Sequence, residues 1–264
     1  MKLNSLFFLA TAVLLTGCST STNQSQTTQT GSSKEHSEQS VSSVITEEEK
    51  QHQAMIDDLP EASTTDWNLI LVNNWTPIDK KVEQAIPLVE VEEGKKMDER
   101  IVSDYKEWMD GAANEGYSVY LASSYRSVDR QQSNYTRKIQ QYMNEGFSKK
   151  EATRKTEEYI AIPGRSEHHT GLALDMVDID WINAGNGLDP EYDTQESQQW
   201  LVATMSDYGF ILRYPKDKEE ETGINYESWH FRYVGKENAE FMKKYNLSLE
   251  EYVSLLQETE KDEK

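Results

Sequence analysis

The sequence predicts an α+β domain built around an antiparallel sheet, and three observations lead there. Amphipathic helical spacings and short strand-like runs are interleaved without the regular strand–helix alternation a parallel sheet requires. Aromatic residues recur through the later part of the chain, and none of the six tryptophans precedes Trp67. A single cysteine in 264 residues excludes an intrachain disulfide, so an apolar core must hold the fold. The expected organisation is a signal segment over residues 1–17, a linker over 18–62 and one folded domain over 63–264. The packed part, residues 63 to 258, is of ordinary domain size at about 195 residues.

In chain order, Met1-Lys2-Leu3 leads into the apolar run Leu6–Leu15, interrupted only by Thr11 and followed by Thr16-Gly17-Cys18. Such a run is shorter than the ~20 residues needed to span a bilayer and fits the apolar region of a secretory signal. Small residues directly before Cys18 resemble the bacterial lipobox. Lipidation of Cys18 as the first mature residue would place more than one acyl chain in the membrane and make attachment stable. The expectation is an extracytoplasmic protein anchored to the cell membrane, of the Gram-positive kind. Residues 19–62 are rich in Ser, Thr, Gln and Glu and bury too little apolar surface to offset chain entropy. As a flexible coil of ~44 residues they would reach roughly 35–40 Å. The net charge of −20 implies a solvated acidic surface, and no basic patch marks a nucleic-acid partner.

Within the domain, Leu69-Ile70-Leu71-Val72 reads as a buried strand. Ile101, Tyr105, Trp108, Met109 and Ala112 share one helical face, and Gly116 is placed to stop that helix. Tyr117–Ala122 alternates as a strand and delivers Ser123-Ser124-Tyr125-Arg126-Ser127 at its end. Tyr135, Ile139, Tyr142 and Met143 mark the inward stripe of the next helix, and one turn before Tyr135 the same stripe holds Gln131. An inward amide at a helix start should meet a partner, which makes Gln131 a candidate site residue. Ser148-Lys149-Lys150-Glu151 has the form of a capping box ahead of a further helix. Trp200, Leu201, Thr204, Met205 and Tyr208 mark another, stopped by Gly209. Phe210–Tyr214 and Trp229–Val234 read as strands, and Ser248 caps a last helix.

The chemistry concentrates in Ser166–Asp175 and Glu227–Tyr233. Three of the five histidines, His168, His169 and His230, fall in these two stretches. Imidazole is the commonest ligand for a transition metal, and a catalytic zinc site takes three protein ligands and an open position. His168, Asp175 and His230 are therefore read as holding one Zn²⁺ per chain, with Glu227 acting on its water. The separation of His168 from Asp175 is odd, so one flat strand would point them to opposite faces; Gly171 can supply a bend, leaving His168 on a loop and Asp175 on a strand. Glu227 and His230 are three apart, which brings side chains together on a turn. A zinc-activated water with a neighbouring carboxylate hydrolyses amides without a covalent intermediate.

Ser-x-His-x-x-Gly-x-Ala-x-Asp over Ser166–Asp175, followed by Glu-x-Trp-His-x-Arg-Tyr-Val-Gly over Glu227–Gly235, resembles the VanY-type D-alanyl-D-alanine carboxypeptidases. Tyr125-Arg126-Ser127 with Gln131, Pro163-Gly164, and Arg213-Tyr214 ahead of Thr222-Gly223 extend the similarity. The resemblance implies a hedgehog/DD-peptidase-like fold, a small antiparallel sheet carrying the zinc site and flanked by helices. It implies His168, Asp175 and His230 as zinc ligands, Glu227 as the base, and Arg126, Gln131 and Ser166 as substrate-binding residues. Arg126 would hold a C-terminal carboxylate or an oxyanion. The implied substrate is a peptidoglycan stem peptide losing its terminal D-alanine, and the protein is expected to act as a monomer. The alternatives are an L,D-carboxypeptidase acting on the tetrapeptide and a non-catalytic, zinc-stabilised wall-binding module. Two positions depart from the pattern: Arg165, either a second cation near the substrate or a solvent-facing side chain, and His169, a competing ligand that the motif spacing disfavours.

Overall fold

A computed structural model describes residues 46–262. The signal segment, Cys18 and the linker up to residue 45 lie outside the described residues. Among the described residues no helix is long and apolar enough to cross a membrane.

The expected linker is corrected over residues 46–62, where the chain forms helix α1 (Glu47–Asp57). Thr46 and Glu49 make a reciprocal capping box: Glu49 N–H donates to Thr46 Oγ1 at 3.1 Å and Thr46 N–H to Glu49 Oε2 at 2.7 Å. Met55, Ile56, Leu59 and Ala62 then pack against a core that includes Leu249, Tyr252 and Leu256. The acidic composition hides these few apolar positions. Leu69–Val72 is likewise no strand. Leu69 and Val72 are buried, but the carbonyls of Asn68 and Ile70 accept from Arg232 Nη2 at 3.0 and 2.9 Å, so a side chain takes the place of a partner strand.

Helix α2 (Lys80–Ala85) precedes a hairpin of β1 (Leu88–Glu92) and β2 (Lys95–Asp98). Helix α3 (Val102–Asn114) buries Tyr105, Trp108 and Ala112, continuing the face that Ile101 begins, and Gly116 turns the chain at φ +90°. There follow β3 (Val119–Ser123), α4 (Val128–Asn144) and α5 (Lys149–Glu157), then β4 (Ala173–Asp178), α6 (Ile179–Asn183) and α7 (Glu196–Thr204). The last third contains β5 (Phe210–Leu212), α8 (Glu219–Thr222), β6 (His230–Tyr233), α9 (Lys236–Tyr245) and α10 (Leu249–Asp262).

Four strands form one antiparallel sheet in the order β3-β4-β6-β5. Because side chains alternate along a strand, β4 and β6 send Leu174, Met176, Phe231 and Tyr233 into a core with Trp108, Leu201 and Phe210. Their intervening residues, Asp175, His230 and Arg232, fall on the opposite face. All of them are nevertheless buried, so both faces of the sheet are covered.

Candidate metal centre

The register of the sheet assembles the site. Asp175 on β4 pairs directly with His230 at the start of β6, and Ser123 at the end of β3 pairs with Asp175 from the other side. Residues directly opposite in an antiparallel pair place their Cβ atoms about 4.5–5.5 Å apart, close enough to share one ion. His168 arrives differently. Glu167–Thr170 forms a short 3-10 turn that Gly171 ends in the left-handed region at φ +69°. A Cβ at Gly171 would also come 3.0 Å from the backbone nitrogen of Asp98 in β2, so the bend needs glycine both for its conformation and for the close approach. This is the expected bend, with His168 on the turn and Asp175 on the strand.

His168 Nδ1 lies 2.8 Å from the Ser124 carbonyl. A carbonyl only accepts, which assigns the proton to Nδ1 and leaves a lone pair on Nε2. That Nε2 faces Asp175 Oδ2 at 3.2 Å, and His230 Nδ1 lies 3.2 Å from Asp175 Oδ1 and 3.3 Å from Glu227 Oε2. Among the described residues, His168, Asp175 and His230 are the group whose potential ligand atoms all lie within 4.8 Å of one another. Donors bound at about 2.0–2.2 Å in a tetrahedral zinc site stand about 3.3–3.6 Å apart, close to these separations. An acceptor facing an acceptor across 3.2 Å, with buried Asp175 Oδ1 making no hydrogen bond, is an arrangement that a shared cation satisfies. Two imidazoles and one carboxylate are a donor set suited to zinc.

The electrostatics agree. Burial pushes the His168 imidazole down to about 4, against the pull of Asp175, which keeps it neutral as a ligand must be. Burial works against charge on Asp175 too, but the protonated His230 beside it holds its carboxyl well below the usual range until an ion takes the place of that proton. Glu227, 5 % exposed on the turn before β6, is shifted upward by burial. A carboxylate of raised basicity beside a metal position is suited to taking a proton from water.

One buried residue behind the metal group is not among those read from the sequence. Glu167 is 1 % exposed; its Oε1 accepts from Arg213 Nε and from Arg232 Nη1, both at 2.7 Å. Its Oε2 makes no hydrogen bond and faces His230 Nε2 at 3.5 Å, which also has no partner. Glu167 therefore backs the nitrogen of His230 that points away from the metal position, a carboxylate behind a ligating histidine. Burial opposes its charge, and the two arginines hold it ionised. The signal in the sequence is indirect: Arg213 just after β5 and Arg232 in β6 are buried and require an anion, but their positions do not say which one.

Arg126 follows β3 and is aimed by three neighbours. Its Nη1 donates to Gln131 Oε1 at 2.7 Å, its Nη2 to Ser123 Oγ at 3.1 Å, and Nη2 lies 3.6 Å from Asp175 Oδ2. Gln131 is 1 % exposed and donates its Nε2 to the Ala161 carbonyl at 2.5 Å, so its amide is fixed and its contacts orient Arg126. Ser166 lines the same cavity as Arg126, Gln131 and the metal group, a cleft of about 590 Å³. Tyr214 joins them, its ring 4.7 Å from that of His230. His169 is excluded as a ligand because both nitrogens are used, Nδ1 toward the Arg126 carbonyl at 2.5 Å and Nε2 accepting from Gly164 N–H at 3.2 Å. Arg165 neither reaches the cleft nor stands free; it donates to the Asn74 carbonyl.

A two-histidine, one-aspartate group on an antiparallel sheet, with a buried glutamate beside the ion position and an arginine facing it, defines a mononuclear metallohydrolase centre. Comparison with known proteins gives the family. The profile described as VanY, D-alanyl-D-alanine carboxypeptidase, matches residues 94–236, and the chain belongs to that family. A D-alanyl-D-alanine carboxypeptidase of Enterococcus faecalis is 36 % identical over 190 residues, 72 % of this chain; the chain spans 66 % of that relative's length. The structure of VanYB in complex with D-alanine-D-alanine superposes with a TM-score of 0.64 at 35 % identity, covering 72 % of this chain and 98 % of that one. A VanY D,D-pentapeptidase mutant from a VanB-type resistance cassette, in complex with Zn(II), gives 0.63 at 34 % identity over 71 % and 99 %. The L,D-carboxypeptidase LdcB gives 0.60 at 32 % identity over 72 % and 87 %.

Proposed function

We propose that this protein is a zinc-dependent D,D-carboxypeptidase that removes the C-terminal D-alanine from peptidoglycan stem peptides. The observation that carries this is the convergence of His168 Nε2, Asp175 and His230 Nδ1 with Glu227 Oε2 only 3.3 Å from the last of them. A purely structural metal site has no use for that base.

His168, Asp175 and His230 would hold the ion. Zinc there supplies Lewis acidity, making water acidic enough to ionise near neutrality and polarising the scissile carbonyl. Glu227 takes the proton released when water attacks and delivers it to the nitrogen of the leaving D-alanine. Arg126 offers a guanidinium already oriented by Gln131 and Ser123, placed to bind either the substrate's terminal carboxylate or the oxyanion. Ser123, Ser166 and Gln131 keep the floor of the cleft polar around the reacting group.

The reading is tested with zinc-loaded purified protein and a pentapeptide stem. D-Alanine should be released, and chelation should stop the release until zinc is restored. Turnover of the tetrapeptide in preference to the pentapeptide would move the assignment to L,D cleavage, the reaction in LdcB's name. No release from either would leave only a wall-binding module.

The location is part of the same proposal. Leu6–Leu15 and Leu15-Thr16-Gly17-Cys18 support export and lipidation at Cys18, which would hold the enzyme at the outer face of the cell membrane within reach of the wall. Cys18→Ser should release the protein into the medium, and an unlipidated Cys18 in membrane-extracted protein would refute the anchor. All the groups the reaction needs come from one chain, which supports a monomeric enzyme; sedimentation of the zinc-loaded protein measures this.

A further inference from the structure

The catalytic cleft does not end at the metal group. One wall continues along α4, where Gln131, Asn134, Lys138 and Gln141 recur at helical spacing and line the cavity together with Arg137 and Tyr142. From Gln131, which holds Arg126, to Tyr142 is a rise of about 16 Å at 1.5 Å per residue. An extended peptide advances about 3.3–3.6 Å per residue, so this wall matches four to five residues. The facing side is made by Tyr159–Ala161 and Leu188–Pro190, which turns the helix face into a groove.

The groove is charged at its far end. Lys138 lies about 10 Å along the helix from Gln131, or about three residues of extended chain. Its ammonium sits 4.7 Å from the Tyr142 ring and 3.4 Å from Gln141 Oε1, with no carboxylate partner among the described residues. Arg137 beside it uses one nitrogen on Asn134 Oδ1 at 2.6 Å. The charged groups at this outer part are these two cations, Lys155 at 5.3 Å from the same Tyr142 ring, Glu145, which accepts from Gln141 Nε2 at 3.2 Å, and Asp189, whose carboxylate is already occupied capping the turn at Glu191. The surrounding segment, residues 126–165, carries nine Lys and Arg against five Asp and Glu in a chain of net charge −20. Local cationic character in an acidic protein points to an anionic partner.

We infer that the α4 groove is a specificity subsite that binds the substrate peptide upstream of the scissile bond and selects a carboxylate about three to four residues before it, through Lys138 and Arg137. The inference rests on the proposed peptidase reading and deepens it. Its test uses peptides that share a D-alanyl-D-alanine terminus, two to five residues long, the longest with glutamate, glutamine or lysine at the upstream position. For the wild type, kcat/KM should rise with length up to the longest peptide and favour glutamate over glutamine by about two- to fivefold at low salt, the range of exposed ion pairs. In Arg137→Ala/Lys138→Ala that ratio should fall to about one, and Lys138→Glu should reverse the order in favour of lysine. A ratio unchanged in both variants, or rates independent of length, would overturn the subsite. Binding of the same peptides to zinc-loaded Glu227→Gln protein gives the same ratios without turnover. The preference is therefore read even if no peptide is hydrolysed, an outcome that would instead refute the peptidase reading.

Discussion

The two faces of the central sheet come from the same strands and are equally hidden from water, yet they obey opposite rules. On one face Leu174, Met176, Phe231 and Tyr233 meet Trp108, which is fully buried and stacked on Phe210 at 4.9 Å. There the free energy is that of apolar burial and close packing. On the other face Asp175, His230 and Arg232 meet Glu167 and Arg126, and each charge is acceptable only because another answers it. Burying a charge pair gains little stability, whereas removing one member is expensive. The apolar face holds the sheet in register, and that register is what places Asp175 opposite His230.

The largest effect expected on the polar face is catalytic. Glu227→Gln keeps the size of the side chain and removes the base, and should lower kcat by about 10²–10⁴-fold while zinc content, measured by atomic absorption, stays near one per chain. Retained turnover would mean that the base lies elsewhere. On the apolar face the matching test is Trp108→Ala, which should cost about 3–5 kcal/mol in denaturant unfolding and leave no local chemistry altered. A loss below about 1 kcal/mol would show that the sheet does not depend on this core.

Glu167→Gln joins the two rules. It leaves Arg213 and Arg232 short of their shared anion, with a cost of about 3–5 kcal/mol, and it weakens zinc binding by about 10–100-fold through His230. A variant that lost stability but bound zinc as tightly as the wild type would make Glu167 a structural counter-ion only.

The polar face should also reverse its pH dependence with metal. Burial raises Glu227 above its ordinary 4.5; for His230 burial opposes the charge, but Asp175, Glu167 and Glu227 together hold it above its ordinary 6.5. Both groups therefore bind protons more tightly when folded, so their stabilising contribution is complete below those ordinary values and is lost as pH rises through the shifted ones. Neutral His168, held at about 4, works the other way and returns stability as pH rises toward 6.5, so chelated protein should lose stability by denaturant titration only as pH rises above 6.5 through the raised value of His230, whereas zinc-loaded protein should gain it over the same range, because the ion displaces protons from its ligands. Parallel slopes in the two forms would contradict this account of the site.

How much of this was legible in the sequence follows from how local each signal is. His168, Asp175, His230 and Glu227 could be read because histidines are few and cluster in two short stretches. Glu167 stands between Ser166 and His168 with nothing local to mark it, since its role appears only when β5 and β6 bring Arg213 and Arg232 to it. Helix α4 was foreseen, but Tyr135, Ile139 and Tyr142 are only half-buried beside α5, Met143 is exposed, and the stripe through Gln131, Asn134 and Lys138 forms the cleft wall. The β1–β2 hairpin carries little apolar signal because glutamates and lysines dominate it, and its place is set by contacts such as Asp98 N–H to the Gly171 carbonyl at 3.0 Å.

The smallest effect concerns the part of the chain that composition misassigned. If α1 belongs to the folded domain, its N-cap matters: Thr46→Ala removes the acceptor for Glu49 N–H and half of the capping box, at a cost of about 0.5–2 kcal/mol. The helix is tied to the end of the domain by Met55 and Ile56 packing near Leu256 and by the Lys244–Asp58 pair at 2.7 Å just beyond its last turn. The loss should therefore appear in global unfolding and not only as local fraying, which amide exchange along α1 and α10 separates. Faster exchange confined to α1, with the unfolding midpoint unchanged, would return residues 46–57 to the linker and leave the sheet and its two faces as the whole cooperative unit.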